Sequence, residues 1–190
     1  AVGMKPVAAG CERTAQGLVN EDVETLLQAG DPAATREQIN LYRFEPAIAP
    51  HIAAALAGVE IDLAAIAAGH RELADRYDAV VVEGAGGWLV PLGSATSFAD
   101  LAQALALPVV LVVGMRLGCI NHALLTAESI ARRGLRLEGW VANRIEADMS
   151  CFEENLESLR ERLDAPLMGV VAHRIPPDPA RIAGDLVLPR

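Results

Sequence analysis

The sequence predicts an α/β protein built as a doubly wound, mostly parallel sheet with helices on both faces. Three observations predict it. Apolar runs without alternation, at Ala79–Val82 and Val109–Val113, have the pattern of strands buried on both faces, and Leu167–Val171 is a further apolar strand. Between them lie segments whose apolar residues recur every three or four positions, the period of a helix with one buried face. Glycines and prolines punctuate the joins, and strand-like and helix-like segments alternate along the whole chain, as a parallel sheet with crossover helices requires.

Taken in order, Ala1–Ala8 reads as a strand carrying Lys5 and closed by Pro6. Asn20 is a helix cap for Glu21–Ala29, with acids in the first turn and Gly30 at the end. Asp31–Pro50 reads as irregular, and a helix restarts over Ile52–Leu56 until Gly58. Asp62 caps the next helix, in which Leu63, Ile66, His70, Leu73 and Tyr77 share a face. The run Ala79–Val82 follows, then Glu83 and the glycine loop Gly84–Gly87. Thr96 or Ser97 starts a helix through Phe98, Leu101 and Leu105, and Pro108 introduces the strand Val109–Val113. Gly114–Gly118 is a loop, Ile120–Arg132 a helix, Gly139–Asn143 a strand, Met149–Leu163 an amphipathic helix and Leu167–Val171 a strand.

Composition excludes several classes of function. A net charge of -9 over 190 residues leaves no basic surface for a sequence-independent grip on nucleic acid. Apolar residues make up 52%, which supports a folded core and opposes disorder. The longest apolar run, Ala104–Met115, is interrupted by Pro108 and falls short of the roughly 20 residues a membrane helix needs, so no membrane is expected as a partner. Cys11, Cys119 and Cys151 are widely spaced and odd in number, which fits a reducing compartment and a cytoplasmic protein.

The parallel sheet gives the polar residues their meaning, because groups beyond the carboxyl ends of its strands converge on one rim, where ligands bind. Glu83 follows an apolar run, where a charge is costly unless it is paired or binds a metal. Lys5 is either a cation held toward an anionic reactant or a surface lysine at a strand end. Asp22 is either a magnesium ligand or an acid stabilised by its helix dipole. The segment G-M-R-L-G-C-I-N-H at 114–122 leads from a strand into a helix start, whose free N–H groups suit a carboxylate or phosphate. Alternatively, Asn121 caps that helix itself and Cys119 is a small buried residue; His122 in the first turn is more readily structural than a general base. Asn143 ends a strand, where its amide either pairs with a base edge or satisfies a turn.

These residues lie in strings that resemble one family. K-P-V-A-A-G (5–10), N-E-D (20–22), P-H (50–51), V-V-E-G-A-G-G-W-L-V-P-L (81–92), P-V-V-L-V-V-G-M-R-L-G-C-I-N-H-A-L-L-T-A (108–127) and G-W-V-A-N (139–143) are similar to the dethiobiotin synthetases. The resemblance implies a P-loop NTPase fold of three layers and a homodimer whose substrate site lies at the interface. It implies conversion of 7,8-diaminononanoate, CO2 and MgATP to dethiobiotin, in biotin biosynthesis, through a carbamate and a carbamic-phosphoric anhydride. By motif, Lys5 is the catalytic cation and also touches substrate; Asp22 and Glu83 are the magnesium ligands. Asp22, Glu83, Gly84, Ala85, Gly86, Asn143 and Arg144 border ATP, while Ala9, Gly118, Cys119, Ile120 and Asn121 bind the substrate.

Two features depart from the family pattern. No G-x-x-x-x-G-K-[ST] occurs in the 190 residues. Residues 1–190 are therefore expected to be a single synthetase domain whose first strand, Walker A loop and first helix precede Ala1. The second departure is Ala9, where the family often has a serine; one hydrogen bond of about 0.5–1.5 kcal/mol is forgone there. The alternatives are a related ATP-dependent amidoligase of the cobyrinate type and a non-catalytic regulatory domain of the same fold.

Overall fold

The computed structural model describes residues 1–188. Two compact units divide the chain, Ala1–Leu105 and Ala106–Arg190. In chain order the first holds β1 (Val2–Met4), β2 (Val7–Ala9), β3 (Glu12–Thr14), β4 (Gly17–Val19), α1 (Glu21–Ala29), α2 (Arg36–Ile39), β5 (Tyr42–Phe44), α3 (Pro50–Ala57), α4 (Leu63–Ala74), β6 (Val80–Val82) and α5 (Phe98–Leu105). The second holds β7 (Val109–Gly114), α6 (Cys119–Arg132), β8 (Leu137–Asn143), α7 (Phe152–Arg162), β9 (Leu167–Val171) and α8 (Pro179–Gly184). The class is α/β, with mostly parallel strand pairs and a small antiparallel hairpin of β3 and β4.

In the first unit the chain changes partner at one point. β1 runs parallel to β6, with Met4 opposite Val82, and β2 runs parallel to β5, with Val7 opposite Tyr42. Lys5 and Pro6 lie between the two, so the chain is handed from one neighbour to the other there. Pro6 has no N–H to continue a ladder, but its carbonyl accepts from the N–H groups of Leu41 and Tyr42, at 3.1 and 2.9 Å. α1 is set by its cap: Asn20 Oδ1 accepts from the N–H groups of Asp22 and Val23. It packs closely on β1 because Gly3 has no side chain; a Cβ there would stand 2.5 Å from Leu26 Cδ2. The core joins Met4, Val7, Val23, Ile39, Ile66, Leu73 and Phe98. Ile66 and Leu73 are almost wholly buried, and each stabilises the fold by about 1.5–3 kcal/mol.

In the second unit β8 lies between β7 and β9, all parallel, so Gly114, Asn143 and Val171 are neighbours across the sheet's carboxyl edge. Trp140 is fully buried in this unit's core, with Met115, Cys119, Phe152, Leu156 and Leu159.

Several expectations need correction. Asp31–Pro50 is not irregular throughout, since it contains α2 and β5. The helix expected from Met149 begins at Phe152, after Cys151 in a left-handed conformation with φ 53°. The runs at 79–82 and 109–113 form strands but are not buried on both faces: Val81 is 65% exposed, Val110 43% and Val112 60%. Valine favours extended backbone at any depth, so an apolar run specifies a strand more firmly than it specifies what covers it.

Candidate active site

Three elements of the first unit deliver charged side chains to one place. β1 ends at Met4 and presents Lys5; the capped first turn of α1 presents Asp22; β6 ends at Val82 and presents Glu83. The Lys5 ammonium donates to Glu83 Oε1 at 2.7 Å and to the Gly84 carbonyl at 3.1 Å, and pairs with Asp22 Oδ2 at 3.0 Å. All three of its donors are thereby used. The site is asymmetric in exposure, for the Lys5 side chain is 6% exposed whereas those of Asp22 and Glu83 are 56% and 48% exposed. Lys5 is therefore not a surface lysine.

Burial is the largest single influence on the Lys5 ammonium and pushes its pKa down. The hydrogen bonds and charges of Glu83 and Asp22 together outweigh it, so the pKa lies above the ordinary lysine value. A raised lysine pKa makes this pairing fully stabilising at neutral pH, with loss only as pH climbs past about 10.4 and through the folded value.

Asp22 and Glu83 suit a hard divalent ion. Both are carboxylates anchored to one ammonium, and both keep much of their surface open to solvent. Magnesium is usually held in this way, by one or two carboxylates with waters and substrate phosphates completing the shell. Among the described residues no cluster of three or more His, Cys, Asp or Glu forms a ready-made protein cage.

The glycine loop after Glu83 is close-packed. A Cβ on Gly84 would meet the Phe98 ring at 3.3 Å, and Gly86 adopts φ +80°. Ala85 packs on the first core from within this loop. Ala9 ends β2, and its carbonyl accepts from Asn20 Nδ2 at 3.4 Å, tying it to the cap of α1. A cavity of about 880 Å³ in the same unit lies elsewhere, between His51–Leu63 and Leu92–Thr96, and no predicted site residue lines it.

The remaining predicted residues lie in the second unit, which is described by itself. α6 begins after Gly118, in a left-handed conformation with φ +93°, and no side chain caps it. Asn121 therefore does not act as its own helix's cap. The Cys119 N–H is taken by the Arg116 carbonyl at 3.0 Å, and the Cys119 side chain is 2% exposed within the core. Ile120 and Asn121 follow in the first turn of α6, where helix N–H groups have no intrahelical acceptor. At the end of β8 the Asn143 carbonyl accepts from the Met115 N–H at 2.7 Å, and the Arg144 N–H donates to Val171. The Arg144 guanidinium lies over the Phe152 ring, 4.3 Å from its centroid, and donates to the Ala147 carbonyl at 3.2 Å.

Sequence reasoning missed Asn40, a nearly buried residue bonded to the Lys5 carbonyl. A lone amide between Ile39 and Leu41 is the signal that could have found it. Among the described residues, no helix is long and apolar enough to cross a membrane.

Comparison with known proteins supplies the family context. A family model described as an AAA domain matches residues 2–180. An ATP-dependent dethiobiotin synthetase of Aromatoleum aromaticum is 55% identical over 189 residues, which is 100% of this chain and 84% of that protein. One from Pseudomonas paraeruginosa is 55% identical over 185 residues, covering 97% and 81%, and one from Xanthomonas euvesicatoria pv. vesicatoria is 50% identical over 190, covering 100% and 85%.

Proposed function

The chain belongs to the ATP-dependent dethiobiotin synthetase family, and from that membership we propose that it closes the ureido ring of dethiobiotin from 7,8-diaminononanoate, CO2 and ATP. The observation that carries this reading to the residues is the Lys5 cluster: a buried ammonium bonded to two half-exposed carboxylates.

In this reading the whole family match, residues 2–180, acts as one synthetase domain in a homodimer. One amine of the substrate attacks CO2, and loss of a proton to solvent leaves a carbamate. A carbamate oxygen attacks the γ-phosphorus of ATP, and ADP departs with the bond electrons. The second amine then attacks the carbamoyl carbon, and phosphate leaves as the ring closes and the amine's proton passes to solvent. Each step asks for alignment and charge neutralisation more than for covalent help from the protein.

Lys5 neutralises the carbamate and the transferring phosphoryl group. Its three donors are already engaged, so the reactant anion replaces one of the acceptors and the ammonium stays paired throughout. That arrangement keeps a charge in place before the reactants arrive, which is how preorganised electrostatics lowers a barrier. Asp22 and Glu83 hold magnesium, which supplies charge neutralisation for the phosphates when bound. The Glu83–Gly86 loop borders the nucleotide, and Asn143 with Arg144 faces the adenine. The start of α6, Gly118–Asn121, receives the substrate carboxylate, with Ile120 and Asn121 offering backbone donors. Ala9 lies beside the diamine.

The test is direct. The protein is supplied with diaminononanoate, labelled bicarbonate and MgATP, and the label is followed into dethiobiotin. ATP-dependent incorporation is the expected result; its absence in a folded, ATP-binding protein sinks the reading.

A further inference from the structure

Asn40 is almost wholly buried, at 1% exposure, and with Lys5 it shares the interior of a unit whose other buried side chains are apolar. A buried amide in apolar surroundings is costly unless it is bonded, so its partners indicate its purpose. Asn40 Nδ2 donates to the Lys5 carbonyl at 2.6 Å and to the Tyr42 carbonyl at 3.3 Å. The backbone on either side of Asn40 grips the same point, since the Lys5 N–H donates to the Ile39 carbonyl at 2.9 Å and the Leu41 N–H to Pro6 at 3.1 Å. This is the place where the chain leaves β6 as a neighbour and takes up β5. Lys5 lies between the two ladders and belongs to neither, and its carbonyl accepts from Asn40 instead.

The Lys5 side chain starts from the backbone that this clamp fixes, and its ammonium must end within hydrogen-bond reach of Glu83, Gly84 and Asp22 at once. We propose that Asn40 is a positioning residue for the reaction, acting through the Lys5 carbonyl to fix where the ammonium stands. The inference rests on the role given to Lys5 above.

A displacement of about 1 Å in a reacting group can cost roughly 100-fold in rate, so Asn40→Ala is expected to lower kcat by about 10- to 100-fold. KM for ATP is expected to stay near the native value, because the residues assigned to adenine are untouched. The deciding measurement is a double-mutant cycle on residual turnover, read by incorporation of labelled bicarbonate so that slow rates are countable. In a Lys5→Ala background, adding Asn40→Ala should change the residual rate by less than about twofold, since coupled residues are non-additive.

If Asn40→Ala costs the same factor in both backgrounds, Asn40 is merely structural and the inference is overturned alone. If Lys5→Ala turns over normally, the Lys5 assignment falls and this inference with it. Should Asn40→Ala melt too early to assay, Asn40→Ser, which retains a hydroxyl donor, replaces it in the same cycle with an intermediate loss expected. Equal losses for Asn40→Ser with and without Lys5 overturn the inference in the same way.

Discussion

In the proposed reading, the Lys5 cluster and the start of α6 offer anions two different kinds of grip. In the first unit the grip is made of side chains: a buried cation held by two carboxylates and one carbonyl. In the second it is made of backbone, a helix start that no side chain caps and that depends on the conformation of Gly118. The difference teaches where each site is vulnerable. A side-chain site fails when one residue is truncated, whereas a backbone site tolerates side-chain changes and fails when the chain path changes.

The largest expected effect is therefore at Lys5. Lys5→Ala should lower kcat for dethiobiotin formation by at least about 10²–10³-fold, the usual consequence of removing one preorganised donor. It should not unfold the protein, since the residual carboxylates are open to solvent; a circular-dichroism spectrum alongside the assay checks this. Near-normal turnover would abolish the contrast between the two sites. Next comes Glu83→Gln, which keeps shape and removes charge. The magnesium concentration giving half-maximal rate should rise about tenfold or more, in the range seen when metal sites lose a supporting group. An unchanged magnesium titration would remove Glu83 from the ligands.

The two regions also differ in how far the sequence revealed them. Caps were legible because they are local: Asn20 and Asp62 accept from N–H groups two residues on, and such bonds depend on little else. The strand-end acid Glu83 was legible because a charge after an apolar run is conspicuous. By contrast, β5 is defined by pairing with β2, more than thirty residues away, and the alternation of Tyr42, Arg43 and Phe44 is too short to mark a strand by itself. The β3–β4 hairpin was missed because Glu12–Thr14 is exposed throughout and shows no apolar face. The bonding of Lys5 to both carboxylates depended on the tertiary arrangement, because it requires Gly3 to let α1 approach β1. Asn40 showed only as a lone amide between two apolar residues, and its role was not legible because its partner is 35 positions away.

A smaller effect tests the backbone grip. Gly118→Ala places a side chain in open space, but at φ +93° the conformation is strained for any residue with a Cβ. The cost is about 1–2 kcal/mol of stability, or a shift of the helix start to relieve it. KM for diaminononanoate should rise more than kcat falls. Asn121→Ala, which deletes a side chain and leaves the N–H, should change neither. A large rise in KM for Asn121→Ala would mean that the carboxylate is read by a side chain, and the distinction between the two sites would narrow.

The smallest effect concerns the thiols, and it separates a backbone contact at Cys119 from a chemical one. Cys119 is 2% exposed and packs in the core of the second unit, while Cys151 is exposed. In the first unit, burial pushes the Cys11 thiol pKa up, so its thiolate is scarce where ordinary thiols begin to ionise, near pH 8.5. Thiol reagents should therefore modify Cys151 quickly in the native protein, with Cys11 and Cys119 following only on unfolding. Raising the pH from 7 to about 8.5 should leave Cys11 slow, since burial holds its thiol in the protonated form. Cys119→Ala should leave kcat unchanged, because the N–H at that position already serves the Arg116 carbonyl and the sulfur faces the core. Fast native labelling of Cys119, or loss of turnover in Cys119→Ala, would make the second site a side-chain site like the first.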